Sequence, residues 1–314
     1  MTFEQLATHF EQRKVFAPVY KNETKVAGMR SYKSVKSRLK TLIECLGTRH
    51  IKLITHADLE KFRMQRLQTT IGEKHRNQGR ELTVTTVNRE MQLLRSILNY
   101  ARRQGWIARN PFELGDSLIS AAEEGRRTRI LTRAEEARLL DVCVKERAHL
   151  RPLVIVAVDT GMRRGEMLKL CWADVDFNAQ LITVQAMNSK TARERVIGMT
   201  SRVYTELRKL QEAAPFGYAG LVFGLTDFKR AWESALGLAE VEGFRFHDLR
   251  HTAGTRMIEG KMSPAEVMRV LGHTTMAAVN IYINANSETA TRAAAALDDW
   301  HQFDSGSTAS SLIN

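Results

Sequence analysis

The sequence predicts a mainly α-helical protein with two domains, the second of which contains a small antiparallel β-sheet. Three observations favour this fold class. In residues 1–112, apolar side chains recur every three or four positions, which is the period of an amphipathic helix. A linker-like stretch with Gly115 and Gly125 follows at residues 113–130. Strand-like alternation occurs within residues 171–199, and helical patterns return after it.

The first domain contains clear helix start and stop signals. Residues 32–46 carry an apolar stripe that ends at Gly47. Thr55 and Asp58 have the spacing of a capping box, in which each side chain accepts a hydrogen bond from the other residue's backbone N–H. A long amphipathic helix is expected within residues 84–105. We therefore expect an all-helical first domain.

The second domain is expected to span residues 131–302. Thr132 and Glu135 form another candidate capping box at its start. Residues 153–160, which begin with six consecutive apolar side chains, predict a buried helix. The final residues, 303–314, are polar and rich in serine, which predicts a disordered tail.

The small sheet and the helix after it have local signals of their own. Residues 181–185 and 195–197 alternate as strands, and the polar residues 188–191 predict the turn of a hairpin between them. Further along, Ser263-Pro-Ala-Glu266 combines an N-cap, a proline at the first helical position and a capping glutamate. Gly272 is expected to end that helix.

Composition limits the function classes. The 314 residues carry a net charge of +12, and residues 1–125 hold 22 Lys and Arg against 13 Asp and Glu, which suits a partner with many phosphates. The longest apolar run, Leu153–Val158, is too short for a membrane helix, and the first residues lack a secretory signal. We therefore expect a cytoplasmic protein. Three cysteines without CxxC spacing predict buried, reduced thiols (Cys45, Cys143 and Cys171).

Four segments of the second domain concentrate residues that can act on a phosphate. They are Thr160-Gly-Met-Arg163-Arg-Gly-Glu166, the turn with Lys190, Phe246-His247-Asp-Leu-Arg250-His251, and Leu271-Gly-His273-Thr-Thr, with Tyr282 nine residues after His273. In this order and at these spacings they resemble the tyrosine recombinase, or phage integrase, family. Residues 86–111 are similar to that family's helical core-binding domain, and 171–176 to the entry of its small sheet.

The resemblance implies a site-specific DNA recombinase used for integration, excision or resolution of mobile DNA. The expected partner is double-stranded DNA with specific recombination sites, on which four protomers exchange strands through a Holliday junction. Accessory DNA-bending factors and association with the nucleoid are also implied, whereas no cofactor and no metal is needed. Little room before residue 30 remains for an additional arm-binding domain. Two roles remain open for the alanine-rich segment 287–300: docking on a neighbouring protomer, or capping its own domain.

The chemistry of strand transfer explains why these residue types are required. A tyrosine hydroxyl, here that of Tyr282, conserves the phosphodiester energy in a 3′-phosphotyrosyl bond, although with a free pKa near 10 it needs assistance. Two guanidiniums, of Arg163 and Arg250, suit the charge on the non-bridging oxygens of the transition state. Lys190, on a hairpin tip, is the expected general acid for the departing 5′ oxygen.

The remaining roles follow from the resemblance. His247 is expected to act as an acid or base near the nucleophile, and His273 to donate a hydrogen bond to the phosphate. Glu166, three residues after Arg163 on a helix, is expected to orient groups of the site. Because hairpin lengths vary, Arg193 or Arg195 remains an alternative for some phosphate contact. Candidate DNA-binding residues outside the site lie on the 84–105 helix and in the linker (Arg89, Arg95, Arg126, Arg127 and Arg129).

Three alternatives remain open at this point. His247 and His251 are spaced as in a zinc hydrolase helix, but an aspartate stands where that motif has glutamate, and the sequence indicates no third ligand. A type IB topoisomerase uses the same tyrosine chemistry without exchanging partners. A non-catalytic DNA-binding protein of the same fold would lack a site residue, and none is missing. One departure from the family is Val279, where several members carry threonine.

Overall fold

The computed structural model describes residues 1–21, 24–72, 79–120, 122, 124–125, 127–186, 194–213 and 220–283. The chain divides into two compact units, Met1–Arg127 and Thr128–Asn314. Each has its own hydrophobic core. Within the described residues, no helix is both long and apolar enough to cross a membrane.

The described residues of the first unit form four α-helices. They are α1 (Phe3–Lys14), α2 (Tyr32–Leu46), α3 (His56–Leu67) and α4 (Val84–Arg103). The predicted stripes form its core, in which α4 contacts α1, α2 and α3. The capping box of Thr55 and Asp58 is present at the start of α3, as predicted. Leu118, from the stretch predicted as a linker, is buried in this core.

The prediction that the first unit is all-helical is wrong at residues 19–21 and 24–27. Strands β1 (Val19–Lys21) and β2 (Thr24–Ala27) form an antiparallel pair there. Three- and four-residue strands are too short for a periodicity signal, and Val19 and Val26 remain exposed, so no buried apolar face marks them in the sequence.

The second unit is a helical assembly with one small sheet. Its helices are α5 (Arg133–Asp141), α6 (Leu150–Thr160), α7 (Arg164–Met167), α8 (Ser201–Ala213), α9 (Lys229–Leu238), α10 (Asp248–Glu259) and α11 (Pro264–Leu271). Helix α6 is buried along almost its whole length and lies against α8 and α10. The predicted buried helix is therefore the centre of this unit.

The sheet has the order β3-β4-β5 and is antiparallel throughout. Its strands are β3 (Val175–Asp176), β4 (Leu181–Val184) and β5 (Arg195–Gly198). Ile182 lies opposite Ile197, and both side chains point into the core. The two strands predicted from alternation are thus confirmed, and their pairing fixes the position of β5 beside α11.

Local signals at the helix ends of the second unit also agree with the structure. The predicted capping boxes at Thr132 and Ser263 are both formed. Helix α11 ends at Gly272, whose φ of 64° lies in the left-handed region. The prediction that all three cysteines are buried is wrong for Cys45, which is exposed beside the buried stripe of α2, and Cys171 is only partly buried.

Candidate active site

The candidate site forms where the end of α6, the first half of α10 and the segment after α11 meet. Gly161 ends α6 with a φ of 65°. A Cβ atom at this position would lie only 2.3 Å from Cδ2 of Leu271, so a glycine is required for the close approach of the two segments. This contact brings the loop that carries Arg163 against the C-terminal end of α11.

Arg250 projects from α10 into the interior and is only 3% exposed. Its Nη1 donates to the carbonyl of Gly161 at 2.7 Å, and its Nη2 donates to the carbonyl of Leu271 at 2.6 Å. Burial, followed by the nearby charge of Arg163, lowers the pKa of Arg250 to about 10. The guanidinium therefore stays charged at neutral pH, and its carbonyl partners orient it without neutralising it.

Arg163 stands just before α7 in extended backbone. Its Nη2 donates to the carbonyl of Gly272 at 3.1 Å, and its Nη1 donates to Oε1 of Glu166 at 2.7 Å. The backbone N–H of Arg163 donates to Oε2 of Glu166 at 2.9 Å. Arg163 and Arg250 are thus held by successive carbonyls at the end of α11.

Glu166 binds two arginines, of which the sequence predicted only the first. Besides Arg163, it accepts from Nη1 and Nη2 of Arg195 at 3.2 and 2.7 Å. Its side chain is 1% exposed, and burial alone would raise the pKa of Glu166; the contacts with Arg195 and Arg163 outweigh this and lower it. Glu166 is therefore ionised and orients both guanidiniums.

Tyr282 lies in the short 3-10 turn Asn280–Tyr282, with its ring against Gly254 of α10. A Cβ atom at Gly254 would come within 2.8 Å of the ring. Tyr282 is 3% exposed, and its Oη lies 3.4 Å from Nε2 of His273. Burial raises the pKa of Tyr282, while the charge and hydrogen bond of Arg250 act against this shift. The phenol is therefore protonated at neutral pH and faces the arginines.

Two imidazoles, those of His273 and His251, lie near this phenol, and a third, that of His247, lies beside His251. Burial, then the charges of Arg250 and Arg163, lowers the pKa of His273 to about 4, so this ring is neutral at pH 7. Burial and the neighbouring His251 also lower the pKa of His247. The ring centroid of His251 lies 5.6 Å from that of His247 and 5.8 Å from that of Tyr282. Arg163, Arg250, His247, His273 and Tyr282 thus come together, as their order in the sequence predicted.

Sequence reasoning missed the position of His251 beside Tyr282. Its spacing from His247, one helical turn, was the available signal, but it was interpreted only as a metal-binding pair. Among the described residues, no group of three or more histidine, cysteine, aspartate or glutamate side chains is arranged to hold a metal. Gly254 had a weaker signal, an unexplained glycine inside a helix.

Several predicted residues lie outside the described part of the chain. These are Lys190 and Arg193 at the hairpin turn, Arg126 in the linker, and the segments 287–300 and 303–314. Their predicted roles stay predictions. Val279, the departure from the family pattern, is fully buried next to the turn that carries Tyr282.

The candidate DNA-binding arginines have different surroundings. Arg89 and Arg95 are exposed on α4, and Arg89 interacts with Gln92 and Glu124. Arg127 is partly buried and also has an interaction partner. Arg129 pairs with Glu135 through both terminal nitrogens, and this contact lowers the pKa of Glu135 to about 2. Arg129 therefore also stabilises the start of α5.

Comparison with known protein families agrees with this geometry. The model of the phage integrase family matches residues 129–289, and that of the phage integrase SAM-like domain matches residues 14–119. The chain belongs to the phage integrase family. The second match covers most of the first unit, so both units have counterparts in the family.

Individual relatives share about a third or less of the aligned residues with this chain, and they are longer than it. The shufflon-specific DNA recombinase of Escherichia coli is 31% identical over 235 residues, which cover 74% of this chain and 58% of that protein. A tyrosine recombinase XerC-like protein of Caldanaerobacter subterraneus is 26% identical over 68% of this chain and 66% of its own length. The chain thus spans less than two thirds of these relatives.

Solved structures share the fold at low sequence identity. The Tn1549 transposon integrase in complex with circular intermediate DNA has a TM-score of 0.70 at 20% identity and covers 93% of this chain and 98% of its own. A lambda integrase dimer bound to a core site has a TM-score of 0.68 at 17% identity, covering 91% and 97%. The arrangement of helices and small sheet is therefore that of the integrase fold.

Proposed function

We propose that this protein is a site-specific DNA recombinase that cuts and rejoins DNA through a bond between Tyr282 and a 3′ phosphate. One observation carries the proposal: the Tyr282 hydroxyl is held beside Arg250, Arg163 and His273 within one unit. A phenol placed among cations and neutral imidazoles matches the needs of nucleophilic attack on a phosphodiester. The recombinase and integrase names of the relatives favour the same activity.

The proposed reaction begins with in-line attack of the Tyr282 oxygen on the scissile phosphorus. The bond from phosphorus to the 5′ oxygen breaks, and that oxygen leaves as a hydroxyl with a proton from Lys190, the predicted general acid. Arg163 and Arg250 bind the non-bridging oxygens, where negative charge accumulates. A 5′ hydroxyl of a partner strand then attacks the phosphotyrosine, restores the phosphodiester and releases the phenol.

The histidines have complementary tasks in this scheme. A neutral His273 has one N–H to donate and one nitrogen that accepts, so it can contact both the phosphate and the Tyr282 hydroxyl. We assign acid–base exchange near the nucleophile to His247, following the family pattern. The phenol loses its proton only as the bond to phosphorus forms, because burial disfavours a free phenolate.

The proposed division of labour assigns DNA-core binding to residues 1–112, a basic linker to 113–130 and chemistry to 131–302. The basic excess of the first part supports contact with the phosphate backbone. By the family pattern, four protomers act on paired sites, with accessory bending factors as further partners and the nucleoid as location. Cross-linking on DNA with paired sites tests the tetramer: a product no larger than a dimer contradicts it.

Because the DNA site is unknown, the first experiment recovers it. The purified protein is incubated with fragmented DNA of its host and quenched with detergent, and protein-linked fragments are isolated and sequenced. A nicked substrate built on the recovered site then traps the cleaved intermediate. Wild type is expected to form a covalent adduct, and Tyr282→Phe none. An adduct of undiminished yield with Tyr282→Phe would refute the assignment.

Products distinguish strand exchange from relaxation. Two plasmids that carry the recovered site are expected to give molecules with exchanged flanks. Relaxed circles without exchanged flanks would instead indicate a topoisomerase. DNA binding without any protein-linked fragment in the first experiment would indicate a DNA-binding protein of the same fold. The names of the relatives favour the first outcome.

A further inference from the structure

Three consecutive carbonyls at the C-terminal end of α11 hold three arginines from distant parts of the chain. Val270 accepts from Nε of Arg195 at 2.9 Å, and the next two carbonyls accept from Arg250 and Arg163. The last carbonyls of a helix lack partners within it and carry the negative end of its dipole, so cations are stabilised there. The end of α11 is thus a common support for both proposed phosphate-binding guanidiniums.

Arg195 differs from the other two arginines in how it is used. Its side chain is 8% exposed, and each of its three guanidinium nitrogens already donates within the protein. Nε binds the carbonyl of Val270, and the two terminal nitrogens bind Glu166. Of the three arginines, Arg195 is the one whose two terminal nitrogens both bind a carboxylate, so its charge is already paired. Arg195 is therefore less suited than Arg250 or Arg163 to the phosphate role that the sequence left open for it.

The stem of Arg195 also supports the backbone just before His273. A Cβ atom at Gly272 would lie 3.0 Å from Cδ of Arg195, so the arginine lies directly on this glycine. The same Gly272 presents its carbonyl to Arg163. Arg163 is held by Glu166 and by the C-terminal end of α11, and Arg195 contacts both of these groups.

We propose that Arg195 is a positioning residue of the cleavage reaction, which holds Glu166 and the end of α11 so that Arg163, Arg250 and His273 face the same phosphate. The inference rests on the proposed recombinase function. Without Arg195, Glu166 retains only Arg163 as a partner and draws that guanidinium away from the phosphate. A misplacement of about 1 Å is enough to reduce a rate about 10²-fold.

The test compares Arg195→Met with Arg256→Met in single-turnover cleavage of the trapped substrate. Arg256 is a matched control because its guanidinium also binds one carboxylate, of Glu136, and one carbonyl, of Leu131, away from Tyr282. Arg195→Met is expected to cleave about 10²-fold more slowly with little change in Kd. Arg195→Lys, which keeps the charge but not the paired contact with Glu166, should fall between it and wild type. Arg256→Met should cleave at the wild-type rate once corrected for the folded fraction.

A second substrate separates positioning from general destabilisation. It carries an uncharged methylphosphonate at the scissile position, which needs less stabilisation by Arg163. The deficit of Arg195→Met should shrink on this substrate, in parallel with that of Arg163→Ala. The same comparison applies to Arg195→Lys if the methionine variant does not fold.

The outcomes distinguish the two proposals. Cleavage by Arg195→Met at the wild-type rate overturns the positioning role. So does an equal deficit on both substrates, or an equal loss in Arg256→Met. If wild type forms no adduct with any DNA fragment, the recombinase function itself fails, and the role of Arg195 in it fails as well.

Discussion

An arginine cluster lies near each end of α10, and the two clusters differ in their partners. Near the start of α10, Arg163 and Arg195 share one carboxylate, Glu166, and each also binds a backbone carbonyl, whereas Arg250 binds two backbone carbonyls. Three positive charges against one leave a surplus of two.

Near the end of α10, the charges balance. Arg256 and Arg202 bind Glu136, and Arg202 also binds Asp159. Two guanidiniums thus meet two carboxylates, and the cluster needs no external anion. Carbonyls orient a cation without neutralising it, whereas carboxylates neutralise it. The first cluster is therefore suited to bind a phosphate, and the second to hold α5, α8 and α10 together.

The largest effect on the cleavage rate is expected from removing Arg250, one of the positive charges of the cluster near the start of α10. Arg250→Ala should reduce single-turnover cleavage by about 10²–10³-fold, because it removes a donor to charge that develops in the transition state. DNA binding should be largely retained, since many other phosphate contacts contribute to it. Gel-shift titration and adduct formation measure the two quantities. Normal cleavage at saturating DNA would contradict the role of Arg250, and so would a loss confined to binding.

A smaller effect on the cleavage rate is expected from adding one methyl group beside the Tyr282 ring. In Gly254→Ala, the new Cβ meets the Tyr282 ring at 2.8 Å, so the ring must move, and cleavage should fall about 10²-fold. Gly237→Ala on α9 is the matched control, because nothing lies within 4 Å of its added Cβ.

The control should stabilise the fold by about 0.5–1 kcal/mol through helix propensity and leave cleavage unchanged. Adduct formation and urea unfolding of both variants provide the check. Equal cleavage by the two variants would show that contact with Gly254 does not position Tyr282.

A change in the balanced cluster near the end of α10 should reduce the stability of the fold and leave the cleavage rate unchanged. Arg202→Met leaves Asp159 without this partner and Glu136 with Arg256 alone. The free energy of unfolding should fall by about 1–2 kcal/mol, a value kept low because the Arg202 side chain is partly exposed. Cleavage per folded molecule should not change. A reduced cleavage rate at unchanged stability would erase the proposed difference between the clusters.

The smallest expected effect is the contribution of His273 to the pH dependence of the free energy of unfolding. Since the pKa of His273 is about 4 in the folded state and near 6.5 in an unfolded chain, the unfolded state binds more protons between these values. The contribution of neutral His273 to stability is thus complete above pH 6.5 and is lost as pH falls toward 4. Urea unfolding at pH 7 and pH 5 should show a smaller loss for His273→Gln than for wild type. Identical losses would contradict this shift.

Much of the fold was predictable because its signals are local. The capping boxes at Thr55, Thr132 and Ser263 join residues three apart, so the sequence displays them directly. The order and spacing of the four site segments likewise predicted that Arg163, Arg250, His273 and Tyr282 lie together. The pairing of β1 with β2 escaped prediction because both strands are short and their valines are exposed.

The sequence by itself determined which residue types are available to the site and where several of the helices begin or end. Only the tertiary structure decided how the charges are shared: Arg195 with Glu166, and three arginines on three carbonyls of α11. These partners lie 21 to 109 positions apart, and no periodicity or cap signal extends that far. Their pairing depends on the packing of α6, α10 and α11, which a linear pattern does not contain.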